Sequence, residues 1–372
     1  MSNALPSHPA LMIDFLTVEL PDPVGIPVNA GHVLRIAEDG RVEWQCPTRK
    51  NVRGSWDSNM TFRAIGAEYV EESPGLVGLG AARRESGLEI SGNPAKFLQG
   101  HNLFGSDDVR HVLADVVEKA KAAIWPELPF NAEIDFSEGY ISRIDLTGSW
   151  LLDRDADVLP VLRAMEDGVW CPYRGRGVMD SGGSTLYYGR AAKGKRAKDW
   201  ALKLYSKGRE IGAHPLPRPA YAVAGLLEEV NRTIRVELTL RTAELKRLKL
   251  QKVGQWTPAK VREIWEAYVS KLDMRKIVVN LDTVDLGEIG LKPRHSHALA
   301  AWRAGNDLRA GMAPSSFRRL RKELLDETGW DIATRFATLS NVVPFRRHVE
   351  VVGAPRPEWS EALTAALATT AA

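Results

Sequence analysis

Apolar and polar positions alternate with period two in eight stretches of the chain: MIDFLTVELP (12–21), HVLRIA (32–37), GRVEWQC (40–46), GLEISG (87–92), YISRIDLTGS (140–149), STLYYGR (184–190), ALKLYSK (201–207) and TIRVELTLR (233–241). Such alternation predicts strands with one face toward a core. A helical period interrupts them in DDVRHVLADVVEKAKAAI (107–124), which Asp107 or Asp108 can cap, and again over 155–167. Beyond about residue 245 the pattern becomes mostly helical. TPAKVREIWEAYVSKL (257–272) opens on a threonine cap followed by proline, and HSHALAAWRAGNDLRAGM (295–312) leads through a short APS break into SSFRRLRKELLDETG (315–329). The expected class is α+β, with a largely antiparallel sheet in residues 1–245 and a mostly helical region in 246–372. The pair at 295–329 reads as helix, tight turn, helix, and the alanine-rich tail, 361–372, as frayed.

A chain of 372 residues is long enough for two domains with separate cores. Its two cysteines, Cys46 and Cys171, allow no disulfide framework and no cysteine metal site, which points to a reducing compartment. The absence of a long apolar run or a basic leader adds the expectation of a cytoplasmic protein with no membrane partner. Net charge is only +3, yet it is uneven. Residues 246–372 hold 21 Lys and Arg against 14 Asp and Glu, whereas residues 1–245 hold 29 against 33. Inside the acidic portion, residues 174–210 carry ten basic and three acidic side chains. Local basic patches of this kind are the footprint of a polyanion partner. In the second helix of the late pair they are Arg318, Arg319, Arg321 and Lys322, suited either to a solvated face or to DNA phosphates.

Candidate chemistry lies on the polar faces of the strands. In WALKLYSKGRE (200–210), alternation sends Trp200, Leu202 and Leu204 to the core and groups Lys203, Tyr205 and Lys207 on the other face. This is either an ordinary surface arrangement or a tyrosine nucleophile whose phenolate and phosphate target are both favoured by cations. The same alternation places Asp145 with Arg143, and Glu237 with Arg235, on polar strand faces. With Glu89 and the loop residue His101 behind them, Asp145 and Glu237 form an oxygen-rich candidate site for Mg²⁺ or Mn²⁺. Each carboxylate read alone is equally an ion-pair partner.

Several of these segments together resemble the gene II protein family, the replication initiators of filamentous bacteriophages. The resemblance is carried by MIDFLTVELP, NPAKFLQGHNLFG (93–105), ISRIDLTGS, WALKLYSKGRE, VELTLR and NVVPFRRHVEVVGAPRPEW (341–359), and so covers nearly the whole chain. It begins at Met12, leaving residues 1–11 as an extension or Met12 as an alternative start. What it implies is a rolling-circle initiator that nicks the plus strand of double-stranded phage origin DNA with a tyrosine and later rejoins the displaced single strand. The freed 3′-OH serves a host polymerase, with a host helicase as a further implied partner. The family's tyrosine-x-lysine-x-x-glutamate pattern falls on Tyr205, Lys207 and Glu210, making Tyr205 the nucleophile and Lys207 the neutraliser of the scissile phosphate. Lys203 joins the basic helix residues as a DNA contact. His295-Ser296-His297 is only superficially like the paired-histidine metal motif of other rolling-circle nickases, since its middle residue is polar and it starts a helix. A non-catalytic DNA-binding regulator and a tyrosine recombinase or topoisomerase remain the rival readings, although the arginine and histidine set of the latter is not found near Tyr205.

Overall fold

The computed structural model describes residues 9–21, 31–65, 87–126, 134–189, 197–272, 291–303, 306–328, 332–333 and 351–368. Its strands are β1 (Met12–Pro21), β2 (His32–Ile36), β3 (Val42–Pro47), β4 (Lys50–Arg53), β5 (Asn59–Ile65), β6 (Gly87–Gly92), β7 (Tyr140–Leu151), β8 (Trp170–Cys171), β9 (Gly175–Arg176), β10 (Val178–Met179), β11 (Thr185–Tyr188), β12 (Trp200–Ser206), β13 (Thr233–Arg241) and β14 (Val352–Gly353). The helices are α1 (Pro94–Gln99), α2 (Val109–Ile124), α3 (Val158–Gly168), α4 (Lys207–Ala213), α5 (Leu226–Asn231), α6 (Thr242–Leu248), α7 (Pro258–Val269), α8 (Pro293–Arg303), α9 (Pro314–Thr328) and α10 (Ser360–Ala368).

One antiparallel sheet runs β10-β11-β12-β13-β7-β1-β6-β5-β4, and β14 adds to β7. All eight alternating stretches contain strands, and the α+β class holds. The apolar face behaves as its alternation predicts: Leu16, Val18, Leu146, Leu202, Leu204, Val236 and Leu238 are buried with the inner face of α2 (Val109, Leu113, Val116, Ala120) and with Leu162 and Met165 of α3. Each fully buried aliphatic side chain of this kind contributes roughly 1.5–3 kcal/mol. Asp108 caps α2 by accepting from the amides of Arg110 and His111, and Thr257 caps α7 by accepting from Lys260.

Packing moves the expected boundary at residue 245. Val261, Ile264, Trp265, Tyr268 and Val269 of α7 belong to the same core as the sheet. The C-terminal segment also returns to the sheet: β14 pairs with Trp150 and Leu151, and the Ala354 amide donates to the Ser149 carbonyl at 2.8 Å. Residues 360–368 are helical, not frayed, because Leu363 and Leu367 are buried with Trp359 against Leu103, Phe104, Ile211 and Leu226. The other late helices, α8 and α9, have a small core of their own in Ala298, Leu299, Trp302, Phe317, Leu324 and Ile332. Residues 304–313 separate them, longer than the three or four residues of a helix-turn-helix. Of the late segment 341–359, residues 341–350 lie outside the described residues.

Candidate active site

The polar face of the central strands is covered, not solvated. Tyr205 is 4% exposed, Arg235 2%, Asp145 5% and Glu237 9%. Register explains the grouping: Tyr205 lies opposite Arg235, Lys203 opposite Glu237, and Glu237 opposite Thr147 of β7. The Tyr205 ring reaches diagonally along the ladder, and its hydroxyl donates to Glu237 Oε1 at 2.7 Å. Lys203 Nζ donates to Glu237 Oε2 at 3.1 Å and sits 4.1 Å from the centre of the Tyr205 ring.

β12 ends at Ser206, whose side chain caps α4 by accepting from the Arg209 amide. Lys207 is therefore the first helical residue instead of a third strand position. It turns away from Tyr205 into the interior, where Nζ donates to Asn102 Oδ1 at 2.9 Å and to Glu210 Oε2 at 2.7 Å. The spacing from Lys207 to Glu210 is one helical turn, which is what lets the two meet.

The loop after α1 supplies the opposite wall. Gly100 has a φ of 81°, the left-handed conformation that closes α1 and that a side chain would strain. His101 and Asn102 follow it. The Asn102 amide nitrogen donates to Asp14 Oδ1 at 2.9 Å, and Asn93, which also caps α1, donates to the same oxygen at 2.8 Å. Asp14 sits where the β1–β7 register slips between Ile13 and Phe15. Arg235 fastens the loop from below, donating to the carbonyls of Leu103 at 3.1 Å and Asn102 at 2.6 Å. A cleft beside it is lined by Lys207, Arg235, Thr147, Ser149, Arg356 and Trp359.

Burial and charge set the protonation states. Burial, reinforced by the Glu237 carboxylate, holds the Tyr205 phenol well above its ordinary pKa. The expected phenolate is thus disfavoured despite the neighbouring lysines, because the nearest charge to the hydroxyl is negative. Burial and the Asp14 charge raise Glu237 against the pull of Lys203. Burial would also raise Asp14, but Arg235, Asn102, Lys207 and Asn93 together keep it below the usual range. Burial and the Arg235 charge bring Lys207 down to about 8.

The expected metal ligands are not gathered into one group. Glu89 is held by Arg49 at 2.8 Å and Arg63 at 2.6 Å. Asp145 pairs both oxygens with Arg143, at 3.0 and 2.5 Å, and burial raises its pKa. His101 is pushed down to about 4 by burial and then by Lys207 and Arg235, so its ring is neutral, with Nδ1 accepting from the Leu103 amide at 3.3 Å. Among the described residues no three His, Cys, Asp or Glu side chains form a metal cluster. The site instead brings together Tyr205, Glu237, Lys203, Lys207 and Asp14.

This arrangement occurs in a chain whose residues 12–259 match the family profile for the N-terminal part of the phage gene II replication-associated protein. The replication-associated gene II protein of Enterobacteria phage I2-2 is 30% identical over 356 residues, covering 93% of this chain and 95% of that protein. The chain belongs to the gene II replication-initiator family. Membership agrees with the resemblance carried by the motif segments and makes a phage replication protein the functional class.

Asp14, Asn93, Asn102 and the anchoring role of Arg235 do not stand out in the sequence of this gene II family chain. Their signal is faint: one carboxylate among apolar residues in MIDFLTVELP, and two asparagines bracketing a glycine-flanked histidine. Tyr188, the neighbour of Tyr187, is wholly buried and donates to the Met165 carbonyl at 3.2 Å, which makes it a core residue. On α9, Arg318, Arg319, Arg321 and Lys322 are exposed. His295 is buried between Glu327, 2.6 Å from Nδ1, and Glu323, 2.9 Å from Nε2, and so clamps α8 to α9. Among the described residues, no helix is long and apolar enough to cross a membrane.

Proposed function

We propose that this protein nicks one strand of phage origin DNA with Tyr205 and rejoins the displaced strand. The observation that carries the reading is the 2.7 Å hydrogen bond from the Tyr205 hydroxyl to Glu237, inside a family of phage replication proteins. A buried phenol with a raised pKa must surrender its proton to attack, and a carboxylate with a raised pKa at hydrogen-bond distance is the base to receive it. In this mechanism the proton passes to Glu237 Oε1 as the Tyr205 oxygen bonds to phosphorus. The bond from phosphorus to the 3′-oxygen breaks, and that oxygen leaves as a hydroxyl by taking a proton from water, the hydroxide so formed being neutralised by the proton that Glu237 received. The phosphotyrosyl link keeps the energy of the broken bond, so the reverse reaction closes a circle without a nucleotide cofactor.

Lys203 and Arg235 place positive charge near the phenol, and Lys207 and Arg235 line the adjoining cleft, where a phosphate gains electrostatic stabilisation. Lys203 neutralises the Glu237 side of the site, and Lys207 contributes to the phosphate as an ammonium group.

Mg²⁺ or Mn²⁺ is proposed to bind at Asp14, whose Oδ1 accepts from Asn93 and Asn102, beside Glu237, which has Oε1 on Tyr205 and Oε2 on Lys203 and serves as the base. These two carboxylates repel each other across a buried site, and Mg²⁺ commonly takes one or two carboxylates with the rest of its shell from water and substrate phosphate. When bound, it would polarise the phosphate as a Lewis acid.

The exposed cations Arg318, Arg319, Arg321 and Lys322 of α9 are proposed to grip duplex phosphates. A host polymerase follows from the proposed 3′-hydroxyl product, a host helicase from the family resemblance, and the bacterial cytoplasm from the substrate. Incubation with supercoiled DNA carrying the cognate origin tests the reading. Metal-dependent open circles are expected from the wild type and none from Tyr205→Phe. Open circles formed equally well by Tyr205→Phe contradict it.

A further inference from the structure

Tyr173 is 89% exposed and has a φ of 65°, a backbone conformation that ordinarily selects glycine or asparagine. It occupies the third position of the turn Cys171-Pro172-Tyr173-Arg174, closed by the Arg174 amide donating to the Cys171 carbonyl at 3.0 Å. Proline second and positive φ third is the type II pattern, in which glycine would normally stand where this tyrosine does. A non-glycine residue held there costs stability, and a ring so exposed recovers almost none of it through burial. Trp170, at the base of the same hairpin, is also 60% exposed. It lies directly across from the exposed Arg176 in the β8–β9 pair.

The hairpin is a firm platform. Cys171 is fully buried in the main core, and the Arg174 guanidinium pairs with Asp199 at 2.7 Å while lying 4.1 Å over the Trp200 ring. Those interactions fix the turn to the start of β12 on the core side, where Trp200 packs with Leu202 and Leu204, whereas Tyr205 stands near the other end of the strand and on its opposite face. The strand rise from Trp200 to Tyr205 is roughly 17 Å.

We infer that Trp170 and Tyr173 form a base-stacking platform for single-stranded DNA at the end of β12 remote from Tyr205, with Arg176 beside them for a backbone phosphate. Two flat aromatic faces next to Arg176, immediately before a stretch (174–210) with ten basic and three acidic residues, are the chemistry that holds unpaired bases without reading their sequence. A duplex does not satisfy the aromatics, because its bases are already stacked.

The inference extends the proposed nicking function, but its test needs no cleavage. Binding of the full-length Tyr205→Phe chain to a labelled oligothymidylate is measured by fluorescence anisotropy at several salt concentrations. The added Tyr173→Gly change removes the ring and suits the positive φ, so it spares the fold. It should weaken single-strand binding roughly fivefold to a hundredfold at each salt concentration, with the salt slope unchanged. Tyr173→Trp should preserve binding, and Arg176→Ala should shallow the slope by roughly 0.7. Unchanged affinity in Tyr173→Gly, or equal losses for single-stranded and duplex DNA, overturns the platform and leaves the role of Tyr205 untouched. Nicking by the Tyr205→Phe chain would instead overturn the nucleophile while these binding results stand.

Discussion

The polar face of the sheet and the α8–α9 pair both carry dense charge, and they handle it in opposite ways. On the sheet, Asp14, Asp145, Glu237 and Arg235 are buried, as is Lys207 at the start of α4, and each is engaged by a named partner. On α9, Arg318, Arg319 and Lys322 stand in water over a small apolar core. Burial makes charge–charge distances matter, since interactions are far stronger away from water and shift protonation. Exposure makes charge useful for long-range attraction and sensitive to salt. One region is built for proton and phosphoryl chemistry, the other for grip.

The sharpest break between the two regions comes from Glu237→Gln. Removing the proton acceptor while keeping its shape should cut single-turnover nicking by roughly 10²- to 10⁴-fold with duplex affinity little changed. Duplex binding that falls in parallel with nicking would mean that Glu237 serves the fold more than the chemistry.

Charge removal on the other region should have the converse signature. Replacing Arg318, Arg319 and Lys322 with alanine should weaken duplex binding and shallow its salt slope by roughly 0.9 for each phosphate no longer neutralised. Cleavage of a single-stranded origin oligonucleotide should persist, because α9 packs within its own core. Comparable losses in both assays would join the two regions into one functional surface.

Asp145 separates a structural carboxylate from a catalytic one. Its pair with Arg143 is nearly buried on the acid side, so Asp145→Asn should lower unfolding stability by roughly 1–3 kcal/mol. The metal concentration needed for nicking should stay the same, whereas Asp14→Asn should raise it. Metal titrations of the two variants, beside denaturant unfolding, decide between Asp14 and Asp145.

A smaller effect is expected from pH. Lys207 has its pKa lowered to about 8, so its cationic form is present below that value and lost as pH rises through it. Nicking should decline along an alkaline limb near that pH, and Lys207→Arg, whose side chain stays charged, should displace the limb upward. A limb that does not move would place the titration elsewhere. The same depressed pKa means that the buried ammonium costs stability below about pH 8. This cost is relieved as pH climbs toward the ordinary lysine value, because the unfolded chain then holds more protons than the folded one.

Period-two alternation makes the sheet readable, because strands buried on one face must repeat that way, and it correctly divides Leu202 and Leu204 from Lys203 and Tyr205. The helix caps at Asp108 and Thr257 are readable for a similar local reason. Alternation cannot say that the second face is covered. That depends on the 100–105 loop and on residues 351–368, which reach the sheet from distant parts of the sequence. Nor can it place Lys207, where the strand period gives way to a helix after Ser206. Glu89 and Asp145 look like ligands because the arginines that hold them come from elsewhere in the fold or share their own polar face, and spacing alone does not distinguish a cation's ligand from an arginine's partner.

The most direct test of the central claim is a covalent one. Wild-type protein is reacted with an origin oligonucleotide, denatured and digested, and the DNA-linked peptide is identified by mass spectrometry. The mechanism predicts a 5′-phosphoryl adduct on Tyr205, absent in Tyr205→Phe and strongly reduced in Glu237→Gln. An adduct on Tyr187, or efficient nicking with no protein–DNA link at all, would contradict it.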